Sequence, residues 1–321
     1  MSRESATTRG DRSVSRWSTA LTRAGVSDQG MRRDYGVQRK LVRRYRREEY
    51  LAARLLLPAE LRPYVLAAVA FMHETDRRID LGDVSARHEA LRLWNGEVRA
   101  VLGGAKTGRD TLRALDDTVR RHPQMAGRVS DFLDGAPVEA GWRGFESEAE
   151  LQTYVDCYSM PALMLTACLI GPLPGTEAYG AFERGCRQLI EAMQRTDFLA
   201  DLPEDLQQGH IGIPRDELLR HGLDVEDLRE RPEACLPAVE RVVNAQAALA
   251  DHVFWQAREL PALVEAQYRP FLRALMAVQG LRLQAVKAAG GSVLESGARP
   301  AGSTTVKILW QEYRAFGKRQ R

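Results

Sequence analysis

The sequence predicts an all-α fold, a single-domain helical bundle. Apolar residues recur at helical spacing from about residue 38 to the C-terminus. Strand-like alternation bounded by turn signals is scarce. No segment repeats at a fixed period, so a solenoid is not indicated.

Residues 1–30, rich in Ser, Thr, Arg and Gly, read as a disordered basic arm, with the helical domain over 31–321. The first helix is expected over 38–57, stopped by Pro58. Others follow over 59–80, over 85–101 with Ser85 as N-cap, over 110–121 and over 124–133. A helix from Ser147 to residue 170 should kink at Pro161. A long amphipathic helix covers 176–206, and a short one 215–221. Helices over 230–259, 262–289 and 304–316 close the chain.

The chain has 321 residues and a net charge of +3, with 44% hydrophobic and 28% charged residues. This is an ordinary soluble composition, and a nucleic-acid partner is not expected. Of the 46 basic residues 41 are Arg, which reads as a GC-rich, bacterial coding sequence. Cys157, Cys168, Cys186 and Cys235 form no C-x-x-C and read as free thiols. The apolar stretches fall short of the roughly 18 residues a spanning helix needs, and a soluble cytoplasmic protein is expected. The basic run from Arg39 to Arg47 reads as a solvated helix face, or as a patch for an anionic partner.

Two constellations carry chemistry. In the first, His73, Asp76 and Asp80 stand at i, i+3 and i+7 and share a helix face. In the second, Asp197, Asp201 and Asp205 form a carboxylate stripe at i, i+4 and i+8. Like charges four residues apart cost a few tenths of a kcal/mol unless a cation offsets them. Alone, a D-x-x-x-D among 43 acidic residues is what a solvated helix face carries. Two facing pairs inside a bundle suggest Mg²⁺–diphosphate chemistry, because Mg²⁺ takes carboxylates together with substrate phosphates.

These segments together resemble the squalene/phytoene synthase family, from about Tyr50 through most of the chain. Tyr50-Leu-Ala-Ala-Arg54-Leu-Leu-Leu-Pro58 is similar to its aromatic-led opening helix, and Ala70-Phe71 followed by Asp76 and Asp80 to its first Asp motif. Tyr154 opens the helix that carries an Ala-Gly in the family. Gln194 to Asp205, followed by Gly209, Ile211 and Pro214, resembles the second Asp motif and its loop. The resemblance implies the isoprenoid synthase type of bundle with a central cavity. It also implies Mg²⁺ held between Asp76, Asp80, Asp197, Asp201 and Asp205, with substrate contacts from Tyr50, Arg54, Arg77, Tyr154 and His210.

The chain departs from the pattern where the family carries Arg or Ser. His73, Ala200 and His210 stand in place of Arg, and Glu49 in place of Ser. Asp197 replaces an Asn, Gly212 a Tyr, and Ser159-Met160 the Ala-Gly. Each lost charged hydrogen bond is worth about 1.5–3 kcal/mol, so binding of a second dianion should weaken. The expectation is therefore an Mg²⁺-dependent prenyltransferase of secondary metabolism. It would ionise an allylic prenyl diphosphate and pass the prenyl group to an aromatic, carbazole-like acceptor, with Asp197 or His73 as base. The alternative is head-to-head condensation of two prenyl diphosphates.

Overall fold

The computed structural model describes residues 16–319. Helices α1 (16–23), α2 (Gln29–Tyr45), α3 (Arg47–Leu56), α4 (Arg62–Asp80), α5 (Val84–Leu102) and α6 (Asp110–Arg121) come first. Then follow α7 (Met125–Gly141), α8 (Glu148–Tyr154), α9 (Met160–Ala167), α10 (Glu177–Ala200) and α11 (Leu202–Gln208). The chain closes with α12 (Arg215–Arg220), α13 (Val225–Glu230), α14 (Pro232–Gln256), α15 (Arg269–Ala289), α16 (Val293–Ser296) and α17 (Gly302–Arg319). Among the described residues, β pairing is confined to one isolated parallel bridge between Gly144 and Ile211. No helix there is long and apolar enough to cross a membrane.

The main core forms where α4 is covered by α2, α5, α6 and α7. Every residue of α4 from Pro63 to Phe71 is buried. Phe71 meets Phe132 edge-on at 6.0 Å, and a buried ring of this size contributes about 1.5–3 kcal/mol. A second core gathers α11 to α16 around Val242, Val243 and Leu283. Helix α10 packs on both α14 and α15. The free thiols Cys168, Cys186 and Cys235 are buried, whereas Cys157 is exposed.

Several boundaries differ from expectation. Of the arm expected over 1–30, residues 1–15 lie outside the described residues, and residues 16–23 form α1, which buries Ala20 and Leu21. Asp28 then caps α2 by accepting from the Met31 N–H at 2.7 Å. The helix expected over 38–57 is two helices, because Arg46 leaves helical geometry at φ −131°, ψ 63°. Asp83, not Ser85, caps α5, accepting from the Ala86 N–H at 2.8 Å. Ser147 stands at the N-cap of α8 without a side-chain cap bond.

Two prolines shape the walls of the site. Pro137 lies inside α7 and has no N–H to offer the carbonyl four residues back, at Leu133. The Asn95 side chain donates to that carbonyl at 2.9 Å instead, so α7 runs eight residues past the expected end at 133. Pro161 likewise leaves the Cys157 carbonyl without its helical donor. Here the chain widens into a π-turn over Val155–Ser159 rather than kinking. The freed carbonyl presses on Gly135, where a Cβ would collide with it. Such turns re-aim side chains, and this one carries Tyr158 beside Tyr154.

Candidate active site

Both acidic motifs sit where a helix runs out. Asp76 and Asp80 occupy the last two turns of α4. Asp197 closes α10, and Asp201 caps both the end of α10 and the start of α11. The helix expected over 176–206 therefore breaks at Asp201. Pro203 falls in the first turn of α11, where its missing N–H costs nothing. The i+4 spacing survives the break, since Asp201 N–H donates to Asp197 O at 2.9 Å and Asp205 N–H to Asp201 O at 3.0 Å. A helix C-terminus carries partial negative charge, so carboxylates there need cations from elsewhere.

The cations are arginines. Arg46, at the α2–α3 break, donates to Asp76 Oδ2 at 2.7 Å. Arg282 of α15 stands 3.5 Å from Asp197 Oδ1 and 3.5 Å from Glu48. Arg299 reaches Glu204 at 2.8 Å and Asp201 at 3.5 Å. The Arg299 loop lies directly on Ala200, whose carbonyl accepts from the Ala298 N–H at 3.0 Å. Gly297 makes that approach possible, because a Cβ there would fall 2.5 Å from the Ala200 oxygen. The cation missing at position 200 is thus delivered from another segment.

Between the motifs stands Glu139, at the C-terminal end of α7. Burial lifts its carboxyl to about 7; the Tyr154 hydroxyl bonded to it opposes that shift, and Asp76, Asp80 and Asp205 add to it. Carboxylates of α4 and of α11 therefore act on one group. The acids themselves are lifted too. Burial, then Asp80, pushes Asp76 to about 6 against the pull of Arg46 and Tyr158. Burial raises Asp80, with Arg87 opposing. Burial, with Asp201, pushes Asp197 to about 6 against Arg282, although its side chain keeps 41% of its surface open. Burial, then Asp201 and Glu204, pushes Asp205 to about 7.

Aromatic rings form the adjoining wall. Trp142 stacks on Phe198 at 5.1 Å, and Phe145, Tyr154 and Tyr158 continue the cluster. Gly212 lets the following loop press on Phe198, since a Cβ there would enter the ring. His210 tilts against Trp142 at 5.3 Å and lines a cavity of about 400 Å³ with Arg87 and Arg143. Burial, then those two arginines, lowers the His210 pKa. Two cations again flank a position that lost one. His73 stacks on Tyr45 at 5.1 Å, and burial, then Arg46, lowers its pKa against Glu74 and Asp80.

The structure thus places Asp76, Asp80 and Asp205 within electrostatic reach of Glu139, to which Tyr154 is bonded, with Asp197, Asp201, His73 and His210 on the borders. It does not bring in three expected contacts. Arg77 is exposed and pairs with Glu74 at 3.4 Å one turn away. Tyr50 and Arg54 line a different, arginine-rich cavity. Glu49 is exposed on α3. Glu139, Tyr158, Arg46, Arg282 and Arg299 escaped the sequence reading.

Among the described residues, no three His, Cys, Asp or Glu side chains lie close enough together to hold a metal as they stand. The donor set still suits a hard divalent cation. It is all carboxylate oxygen, and its members raise one another's pKa for want of positive charge. A pH effect follows. These carboxyls bind protons more tightly in the fold than in the unfolded chain, where they titrate near 4. Stability of the metal-free protein should therefore fall as pH rises from about 4 to about 7 and level off above. Added Mg²⁺ is expected to raise Tm at pH 7.5 but not at pH 5, where protons occupy the acids. Melting curves in EDTA and in Mg²⁺ across that range check this.

The chain is similar to several known proteins. The signature described as squalene/phytoene synthase matches residues 42–305. The bifunctional protein CrtB/UppS of Streptomyces coelicolor is 33% identical over 78% of this chain, which spans only 43% of that relative's length. The phytoene synthase of Mycobacterium bovis is 31% identical, over 67% of this chain and 70% of its own. Squalene synthase HpnC from Alicyclobacillus acidocaldarius superposes with a TM-score of 0.73 at 23% identity, covering 84% of this chain and 98% of its own, a likeness of fold. The chain belongs to the squalene/phytoene synthase family, whose members are prenyltransferases.

Proposed function

We propose that the protein condenses two prenyl diphosphates head to head. The observation that carries this is the pairing of both acid motifs with arginines from other segments, Arg46 on Asp76 and Arg299 beside Asp201. The aromatic-acceptor reading rested on a shortage of cations. Arg46 beside Asp76, Arg299 over Ala200, and Arg87 with Arg143 beside His210 remove that premise. The named relatives favour condensation as well.

In this reading Asp76, Asp80, Asp201 and Asp205 would hold Mg²⁺, which supplies charge to the diphosphate and stabilises pyrophosphate as it leaves. Arg46, Arg282 and Arg299 orient the acids and offer donors to phosphate oxygens. The wall of Tyr154, Tyr158, Phe198 and Trp142 keeps water from an allylic cation and stabilises it through ring faces. Asp197 and Glu139, poised near neutrality, are able to take up a proton at pH 7.

Incubation with one allylic prenyl diphosphate and Mg²⁺ tests this. The expected products are pyrophosphate with a C30 or C40 hydrocarbon or its cyclopropyl diphosphate precursor. Prenylated product only after an aromatic acceptor is added would overturn it. Arg299→Ala is expected to lower kcat/KM about 10–100-fold, the worth of one charged hydrogen bond. Steady-state kinetics on the variant provide the check.

A further inference from the structure

A second cavity, of about 1220 Å³, opens between α1, α2, α3, the start of α4 and α17. Eight arginines line it, and no carboxylate does. Arg39, Arg43, Arg44 and Arg47 are among them, so four of the six basic residues of the run noted in the sequence line one concavity, joined by Arg54 and Arg62. Elsewhere arginines find acids, as Arg113 does Asp34 and Arg128 does Glu183. Among the described residues, none of these eight forms an ion pair with an acid. Residues 1–15 carry Arg3, Arg9 and Arg12 against Glu4 and Asp11, so the preceding chain brings no net negative charge.

Two of the arginines, Arg39 and Arg62, are held in place. Arg62 donates to the Leu57 carbonyl at 2.9 Å, and Arg39 lies 5.1 Å over the Trp17 ring. Burial lowers the pKa of both, with nearby arginines adding to the effect while Tyr50 opposes it at Arg39 and Glu60 at Arg62. Like charges gathered in a partly dry recess are unfavourable unless an anion completes them. Guanidinium forks fit phosphate oxygens bidentately. Beneath them the lining is apolar, from Ala20, Leu51, Leu55 and Leu66.

We propose that this cavity is an anion site, separate from the acid cluster, for the phosphate or diphosphate head of an amphipathic lipid whose apolar part rests on that floor. The head can come from a free diphosphate or from an anionic membrane lipid. The site does not depend on the reaction proposed above. Arg54 and Tyr50, which do not join the acid cluster, find their place here.

The full-length protein in EDTA discriminates the two sites, because the acid cluster repels anions without metal. Inorganic pyrophosphate is titrated calorimetrically. Phosphatidylcholine vesicles with and without phosphatidylglycerol are tested by co-sedimentation. The comparison is between the wild type, Asp76→Asn, and the double variant Arg43→Gln/Arg47→Gln, whose altered side chains are exposed. Saturable, salt-sensitive binding that Asp76→Asn leaves intact and the double variant weakens at least about tenfold supports the site. Pyrophosphate binding assigns it to a soluble diphosphate, and binding only to phosphatidylglycerol vesicles to a lipid headgroup. Binding of neither, or binding indifferent to the double substitution, overturns the proposal.

Discussion

Asp76→Asn is expected to lower turnover about 10³-fold while leaving the fold as stable as before or more so. Asp76 is the acid of α4 that meets Arg46 and Tyr158, and its charge helps raise Glu139. An amide keeps the shape and the bond to Arg46 weakens, but the negative charge that would hold a divalent cation is gone. Metal-assisted stabilisation of a leaving group is worth several kcal/mol, and each 1.4 kcal/mol is tenfold in rate. The same change relieves like-charge crowding among partly buried carboxyls, so the metal-free Tm should not fall. Sites strained for function trade stability for activity in this way. Kinetics and melting of one variant separate the two effects: a fold-destabilised Asp76→Asn with normal residual kinetics would mean that Asp76 is structural.

Gly135→Ala should destabilise the protein by about 3 kcal/mol and take activity down with it. The new methyl would meet the Cys157 carbonyl, which is backbone and cannot swing aside. Relieving the clash requires the π-turn over Val155–Ser159 to move, and Tyr158 moves with it. Gly127, in the same helix, has nothing within 4 Å of an added Cβ. Gly127→Ala should stabilise by about 0.5–1 kcal/mol, as alanine does in an open helical position. Chemical denaturation of the two variants tests the contrast. Equal effects at both positions would remove the role given to the close approach of α7 to the π-turn.

The acid motifs were legible because four-residue spacing on a helix is a local property. The neighbours of those acids were not. Glu139 stayed hidden behind Pro137, at which periodicity ends a helix; Asn95, 38 residues before Leu133, keeps that helix going. The sequence places Arg46 on a continuous helix face, and only its break from helical geometry turns it toward Asp76. Arg299 lies 98 residues from Asp201, beyond any local pattern. The inference from missing arginines to a different acceptor loses its premise for this reason. A sequence position shows which cation a motif has lost, whereas a cation arriving from another element is visible only in three dimensions. Tyr50 and Arg54 show the converse, since a matching motif did not bring them to the acids.

In the proposed reaction, acids from α4 and from the α10–α11 junction serve a single diphosphate. A crystal structure with Mn²⁺ and an unreactive allylic diphosphate analogue measures it directly through anomalous density. The expected result is metal bound by Asp76 or Asp80 and metal bound by Asp201 or Asp205, both touching the same diphosphate. Metal confined to one motif, or the diphosphate held by the arginine cavity with the acids bare, would contradict it.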